Sequence, residues 1–266
     1  MMTTGEKHKN HNTYFVPGLF RGLRVLEVIA EFEKAMTVSE IGRAIGVSRS
    51  SAFRLIYTLN DMGFIASGDE GRTYQLGARV LNLGFSFLAS QDFIQTARPE
   101  LVALRDETGI SSHLAILEQN DVLFLDCIQS TSGFLSNVNV GRRVPAYATP
   151  LGWLLLSELS ARDLVKKYES VNLVQLTNKT PRTIEDILSN VSKAGARGIV
   201  VSHGIVAKGG CSICAPIYDK TGKIVAALDI SGPESIFDGI DIEATLVPKV
   251  KFASQNISRK LGYMGY

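Results

Sequence analysis

The stretch TVSEIGRAIGVSRSSAFRLIYTLND, residues 37–61, decides how the first part of this chain folds. Thr37 with Glu40 three residues later has the pattern of a capping box, which predicts the start of a first helix. Gly46 supplies the backbone freedom that a tight turn needs, and Ser48 is a favourable N-cap for a second helix. That helix has one apolar face at helical spacing, formed by Ala52, Leu55, Ile56 and Leu59. Two short amphipathic helices joined by a glycine turn are typical of a helix-turn-helix.

The opposite face of the second helix is polar. A helical wheel places Ser50, Arg54 and Tyr57 on that face, with Arg49 at its flank. Hydroxyl and guanidinium groups near the start of an exposed helix can contact base edges in the major groove of DNA. A helical hairpin with solvated charges is the alternative interpretation of this stretch taken alone.

The residues that follow favour the DNA-binding interpretation. Residues 63–66 and 72–76 are two short strand-like runs around a polar, glycine-containing turn, which predicts a hairpin. A helix-turn-helix followed by such a hairpin is a winged helix, and Arg72 near its tip could reach a phosphate or the minor groove. The candidate DNA-binding residues are Arg21, Arg43, Ser48, Arg49, Ser50, Ser51, Arg54, Tyr57 and Arg72.

Length and composition set limits on the class of protein. At 266 residues, 45% of them hydrophobic, the chain has room for one large or two ordinary domains. The net charge is only +2, so a DNA-binding surface has to be a local basic patch. Three cysteines are a sparse, odd set for a disulfide framework. No apolar run reaches the ~18 residues of a membrane span, and residues 1–14 lack a signal peptide's apolar region. We therefore expect a cytoplasmic protein with no membrane partner.

The predicted elements indicate a mixed α/β (α+β) fold. The predicted domains are a disordered tail at 1–17, a winged helix-turn-helix at 18–76, a linker helix at 77–92 and an α+β domain at 93–266. A helix at 76–88 is expected to join the domains and carry dimer contacts. A first helix at 19–32 is expected to cover the helix-turn-helix with Leu19, Leu23, Leu26, Val28 and Ile29.

In the second domain the predicted strands come in hairpins with helices at both ends, which indicates a mixed or antiparallel sheet. Between the third strand and the next helix, residues 141–152 are predicted to form a loop. The expected helices are at 94–108, 153–157, 161–168, 183–196 and 241–261, and the expected strands at 111–118, 122–128, 135–140, 199–201, 211–218 and 223–231.

The last predicted hairpin carries the clearest candidate site in this domain. Alternate residues of a strand share a face, so Asp229 and Ser231 lie on the same side. If Tyr218 pairs with Lys223 across a four-residue turn, Ser212 lies opposite Asp229 on that side. A buried carboxylate among hydroxyls needs hydrogen-bond partners. Those partners are a small polar ligand or an internal hydrogen-bond network, unless Asp229 lies at a solvent-exposed rim. The sequence leaves these three alternatives open.

Two other classes of function were considered. Cys211 and Cys214 form a C-x-x-C with His203 upstream, so a metal or redox sensor is one alternative. Their offset of three places the two sulfurs on opposite faces of a strand, which is unsuited to binding one metal ion. A small-molecule-processing enzyme is the other alternative, but the chain has no G-x-S-x-G, H-E-x-x-H or phosphate loop. On its strand, His113 is expected to be a core histidine. We predict no catalytic residues, no metal ligands and no cofactor.

Several stretches together resemble the IclR family of bacterial transcription regulators, over nearly the whole chain from Leu19. They are the winged helix followed by YQLGARVLNLG (74–84), PAYATPLG (145–152), LTNKTPRTIEDIL (176–188), GGCSICAPIYDKTGKIVAALDISGP (209–233) and ISRKLGY (257–263). The resemblance implies a GAF-like effector-binding domain after the linker helix, dimers that often pair into tetramers, and palindromic double-stranded DNA operators. It also implies repression as the default. The family's effector pocket maps to Pro150, Leu151, Ser202, Ser212, Asp229 and Ser231.

The chain departs from the family pattern inside that pocket. The usual acidic run is replaced by Ser202-His203-Gly204-Ile205, the usual cysteine by Ser212, and a usual serine by Asp229. These departures suggest an effector with a hydroxyl, carbonyl or aldehyde that Asp229 can contact. The expected effector is a small organic acid, semialdehyde, lactone or aromatic. Its binding is expected to shift the domains or subunits and so the spacing of the two recognition helices.

Overall fold

The computed structural model describes residues 14–32, 34–68, 71–89, 92–131 and 138–265. The chain divides into two compact units, Met1–Ser90 and Gln91–Tyr266. Two predictions fall partly outside the described residues: the disordered tail as far as residue 13, and the strand at 135–140 as far as residue 137.

The N-terminal unit combines a helix-turn-helix with a small antiparallel sheet. Its elements are α1 (Pro17–Glu31), β1 (Met36–Thr37), α2 (Val38–Ala44), α3 (Arg49–Asp61), β2 (Ile65–Ser67), β3 (Thr73–Leu76) and α4 (Arg79–Ala89). The three strands lie in the order β1-β3-β2. β2 and β3 form the predicted hairpin, and residues 69–70 in its turn are outside the described part of the chain.

Local capping fixes where α2 and α3 begin, as predicted. Thr37 Oγ1 accepts a hydrogen bond from Glu40 N at 3.3 Å, and the Glu40 carboxylate accepts one from Thr37 N at 2.8 Å. That backbone hydrogen bond from Thr37 lowers the pKa of Glu40. Ser48 Oγ accepts from Ser51 N at 3.2 Å. Gly46 has a φ of 70° in the turn, a value that residues with a side chain adopt rarely.

The apolar face of α1 differs from the prediction in its first half. The buried residues of α1 are Val25, Val28 and Ile29. Leu19 and Leu23 do not cover the helix-turn-helix and are 64% and 53% exposed. The inward stripe continues toward the start of the helix through Gly18 and Gly22, and a Cβ at either position would meet no atom within 4 Å. In the first half of α1, the positions on the side of the buried stripe are glycines. This half therefore has no side chain there that packs against the rest of the unit.

The C-terminal unit is built on a six-stranded sheet that is antiparallel throughout. The strands lie in the order β6-β5-β4-β9-β8-β7. Its elements are α5 (Asp92–Thr108), β4 (Ser112–Glu118), β5 (Asp121–Ile128), β6 (Arg143–Pro145), α6 (Pro150–Leu156), α7 (Ala161–Tyr168), α8 (Ile184–Arg197), β7 (Val200–His203), β8 (Gly210–Tyr218), β9 (Ile224–Pro233) and α9 (Val247–Lys260), with a π-helical turn at Ile242–Leu246 before α9.

Helices cover both faces of this sheet. Ser112 Oγ donates to Leu101 O of α5 at 2.7 Å, whereas the next residue, His113, contacts Asp229 on the other face. α5 and α9 pack together on the first face. α6, α7 and α8 form a buried cluster with Ala115, Cys214 and Ala227 on the second face. The predicted site residues of β8 and β9 therefore point toward α6.

Two predicted boundaries are wrong between residues 138 and 152. Residues 138–140 are not a strand, whereas Arg143–Pro145, predicted as loop, pairs with β5 as the edge strand β6. Helix α6 begins at Pro150 rather than at 153. Thr149 Oγ1 caps it by accepting from Gly152 N at 2.9 Å, and a proline is well tolerated in the first turn of a helix.

The predicted register of the last hairpin is wrong by two residues. Tyr218 pairs with Ile224 rather than Lys223, and an irregularity between Ile217 and Tyr218 adds a second residue of shift. Ser212 therefore lies opposite Ser231 instead of Asp229. Two residues are the side-chain period of a strand, so the shift leaves every side chain on its predicted face. The candidate site therefore consists of the predicted residues, but the residues that lie opposite one another differ from the prediction.

Candidate functional site

Helix α3 exposes the polar face that its sequence predicts. Ala52 and Ile56 are fully buried against the N-terminal core, whereas Ser50, Arg54 and Tyr57 are exposed. The helix is 13 residues long, enough to present its first two turns in a major groove.

Two of the candidate DNA-binding hydroxyls also stabilise the start of α3. Ser48 Oγ accepts from Ser51 N and donates to Ser51 Oγ at 3.0 Å. Since a hydroxyl can accept and donate at once, Ser51 keeps its own proton for a further acceptor such as a phosphate.

An exposed aromatic residue on α3, Phe53, was not predicted from the sequence, whereas its neighbour Tyr57 was. Phe53 is 51% exposed, and its ring centroid lies 6.4 Å from that of Tyr57. Phe53 follows the buried Ala52 by one position and so lies about 100° round the helix from it. A helical wheel that includes Phe53 therefore places it outside the buried stripe, which is the signal that could have identified it. An exposed aromatic ring here can contact a thymine methyl group.

Exposed arginines surround α3 within the N-terminal unit. Those predicted from the sequence are Arg21, Arg43, Arg49 and Arg72. Arg79, which was not predicted, donates to Met62 O at 2.7 Å and lies over the Phe64 ring at 5.1 Å. Arg79 therefore holds the first turn of α4 against the end of α3.

In the C-terminal unit, two rows of side chains cross the face of the sheet that α6 covers. The first row consists of Ser202, Ser212 and Ser231. The second row consists of Val200, Cys214, Asp229, His113 and Cys127. Ser202 Oγ and Ser212 Oγ are 2.9 Å apart, and Cys214 Sγ lies 3.7 Å from Ser212 Oγ.

Five side chains of these rows form the floor of a cavity of about 390 Å³: Ser202, Ser212, Ser231, Cys214 and Asp229. The start of α6 and the loop between β7 and β8 form its walls, and the exposed side chains Arg142 and Lys208 also border it. A cavity of this size suits a small ligand. The structure brings together at this cavity all six predicted effector residues: Pro150, Leu151, Ser202, Ser212, Asp229 and Ser231.

Asp229 has an internal partner that the sequence did not indicate. Its Oδ1 lies 2.7 Å from His113 Nδ1, and Ser231 Oγ lies 3.3 Å from the same nitrogen. His113 is fully buried, and Asp229 is 4% exposed and borders the cavity. An internal hydrogen bond and a place in a cavity are thus both present, whereas the third alternative, a solvent-exposed rim, is wrong because Asp229 is buried. His113 is 116 residues away in sequence, and only the β4–β9 pairing brings it to Asp229.

The cysteines have the environment of core residues rather than of reactive thiols. Burial, then the charges of Asp126 and Asp229, raises the pKa of Cys127 to about 12. Burial and Glu234 raise the pKa of Cys211 to about 11, and burial raises that of Cys214 well above its usual value. Among the described residues, no group of three or more His, Cys, Asp or Glu side chains is placed to hold a metal ion.

We expect all three thiols to react at least about 100-fold more slowly than free cysteine with Ellman's reagent at pH 7.5. A raised pKa lowers the thiolate fraction, and the thiolate is the nucleophile. The check is the labelling rate of the native protein, with the protein unfolded in guanidinium chloride as a control that should release three equivalents. Fast labelling of a native thiol, or one bound zinc per chain, would restore the metal or redox alternative.

An exposed helix-turn-helix in one unit and a ligand-sized cavity in the other define the class: a transcription regulator that senses a small molecule. The family model described as "IclR helix-turn-helix domain" matches residues 18–68, and that described as "Bacterial transcriptional regulator IclR C-terminal" matches residues 85–259. The chain belongs to the IclR family, as its resemblance predicted.

Named relatives and solved structures agree with this assignment. The Pca regulon regulatory protein of Pseudomonas putida is 29% identical over 93% of this chain and 84% of its own. The acetate operon repressor of Salmonella typhimurium is 30% identical over 82% and 80%. The structure of an IclR homolog from Microbacterium hydrocarbonoxydans complexed with 4-hydroxybenzoate is 25% identical, with a TM-score of 0.79, and the match covers 92% of this chain and 98% of that one.

The chain is therefore a transcriptional regulator and not an enzyme. Its N-terminal unit is a DNA-binding domain, and its C-terminal unit is a ligand-binding domain. None of the helices in the described parts of the chain is both long and apolar enough to cross a membrane.

Proposed function

We propose that the protein is a cytoplasmic repressor whose dimer binds a palindromic operator and is released or re-registered by a small organic acid. The observation that carries this proposal is the cavity of about 390 Å³ lined by all six predicted effector residues, in a chain that also exposes a recognition helix. The C-terminal unit then acts as a GAF-like effector domain. The acetate operon repressor among the relatives supports repression.

The apolar surface of α4 supports the dimer. No residue of α4 is buried, even though the helix carries several large apolar side chains. Leu81, Leu83 and Phe85 are 59%, 61% and 59% exposed. Leu19 and Leu23 of α1 add further exposed apolar area. Large apolar side chains exposed in this number on one helix are typical of protein interfaces, and a second copy of the chain is the occupant we propose. Two such dimers pair into a tetramer in this proposal.

Each subunit of the dimer contributes one α3 to the operator. The two copies then contact half-sites about 34 Å apart, one helical turn of DNA. We propose that Ser50, Arg54, Tyr57 and Phe53 contact bases. The groups proposed to contact phosphates are Arg21, Arg43, Ser48, Arg49, Ser51 and Arg72.

The basic side chains at the cavity support an acidic effector. Arg142 and Lys208 border the cavity from exposed positions, whereas the serines and Asp229 on the sheet are hydrogen-bonded. The homologous structure with 4-hydroxybenzoate supports a small acid of this size. Effector binding stabilises one arrangement of the two operator-binding helices over another. The shift is at most the difference between the effector's binding free energies for the two arrangements.

Filling the cavity is expected to abolish the response to acids without weakening DNA binding. Ser212→Leu places an apolar side chain over the row of serines, whereas the control Ser212→Ala leaves the cavity open. DNA selected from a random library by the wild-type protein serves as operator, and fluorescence anisotropy follows its release by a panel of organic acids. We expect at least a tenfold higher acid concentration at half-release for Ser212→Leu. A wild-type response from that variant would remove the cavity from the proposal.

A further inference from the structure

The floor of the cavity offers a hydrogen-bond acceptor that is held in place. His113 Nδ1 lies 2.7 Å from Oδ1 of Asp229, so one carboxylate oxygen has a partner within the protein. No other hydrogen bond to the carboxylate is formed by the residues that the structure describes. Because Asp229 also lines the cavity, its carboxylate offers a hydrogen-bond acceptor there.

The exposed end of the cavity has the opposite character. Arg142 and Lys208 carry only hydrogen-bond donors and positive charge, and both border the same cavity as Asp229. The lining also includes apolar side chains, of which Phe124, Val144 and Leu151 are buried. The cavity thus combines cations at exposed positions, which we call its mouth, with buried apolar side chains and an acceptor on the sheet, which we call its floor.

We infer that the effector is a hydroxy acid, an inference that rests on the proposed effector cavity. Its carboxylate contacts Arg142 and Lys208, and its hydroxyl donates a hydrogen bond to Asp229. A keto acid or semialdehyde of the same shape presents carbonyl lone pairs to the lone pairs of Asp229. That contact replaces a charge-assisted hydrogen bond with a repulsion, and leaves His113 as the carboxylate's hydrogen-bond partner without a donor from the ligand. Asp229 therefore selects the alcohol or phenol over the corresponding carbonyl compound.

Matched pairs of acids test this selection by isothermal titration calorimetry with the full chain. The pairs are 4-hydroxybenzoate with 4-formylbenzoate, and 4-hydroxybutanoate with 4-oxobutanoate. We expect the hydroxy member of a pair to bind at least about tenfold more tightly than its carbonyl partner. An ω-amino acid, 4-aminobutanoate, is included, because tighter binding of an ammonium than of a hydroxyl would overturn the inference.

Two variants separate the floor from the mouth. Asp229→Asn keeps the shape of the side chain but can present an NH₂ group, so the preference for the hydroxy acid is expected to fall below about threefold or to reverse. Lys208→Gln removes a charge at the mouth, so both members of a pair should lose affinity by a similar factor and keep their ratio. An unchanged ratio in Asp229→Asn contradicts the inference.

The results also separate this inference from the function on which it rests. Equal binding of hydroxy and carbonyl acids to the wild-type protein overturns the hydroxy-acid assignment and leaves the effector cavity in place. If no acid of either kind binds, both the assignment and the organic-acid effector fail.

Discussion

Arg54→Ala is expected to weaken binding to the selected operator by about tenfold to a hundredfold. The guanidinium is exposed on the polar face of α3, where it can form a bidentate contact with a guanine, and such a contact contributes about 1–3 kcal/mol of discrimination. Stability should change little, because the Arg54 side chain is exposed and the buried face of α3 is untouched. The measurements are fluorescence anisotropy on the full operator and on a half-site, and urea unfolding.

Two control variants distinguish base reading from simple loss of charge. Arg162→Ala removes the same exposed charge from α7 in the C-terminal unit and should leave operator affinity unchanged. Arg21→Ala is expected to weaken specific and non-specific DNA equally and to reduce the salt dependence by about one phosphate contact. If Arg54→Ala behaves like Arg162→Ala, α3 does not read the operator through this face.

The N-terminal unit could be predicted closely because its signals are local. The capping box at Thr37, the N-cap at Ser48 and the turn at Gly46 each act within a few residues, and all three are present in the structure. The error in α1 has a similar origin. Leu19 and Leu23 continue a helical apolar pattern, but a pattern does not reveal whether a partner lies within the same unit. Their exposure is consistent with a partner outside it.

The effector site was predicted in composition but not in its contacts. The period of two along a strand placed Ser212, Asp229 and Ser231 on one face, and that assignment survives a register error of two residues. The contact between Asp229 and His113 depends on which strand lies next to β9, and no local signal carries that information. Long-range strand pairing is therefore the part of this site that only the structure supplies.

The motif PAYATPLG illustrates the same limit at a single glycine. The sequence identifies Gly152 only as the last residue of a loop that resembles the family pattern. In the structure Gly152 lies in the first turn of α6, where its N–H donates to Thr149 Oγ1. A Cβ at this position would overlap the Ala146 carbonyl oxygen and lie 2.6 Å from Ala146 Cα. The glycine is required because the preceding 3₁₀ turn, Ala146–Ala148, lies directly against the helix, and not because of its own φ.

Gly152→Ala is therefore expected to destabilise the C-terminal unit by about 3 kcal/mol, since backbone cannot move aside as a flexible side chain can. For a unit of this size we expect a fall in melting temperature of about 6–12 °C.

The chain's single tryptophan, Trp153, reports on the same turn, because its Nε1 donates to Tyr147 O at 2.7 Å and its ring is buried. Its emission should shift to longer wavelength in the variant, and acid binding should weaken, because Thr149, Pro150 and Leu151 form a wall of the cavity. The control is Gly84→Ala in α4 of the N-terminal unit, where an added Cβ meets nothing within 4 Å in the same chain, so the emission of Trp153 should not shift. A Gly152→Ala protein that melts within 2 °C of wild type, with unshifted emission, would mean that the turn can relax and that the glycine does not hold the cavity wall.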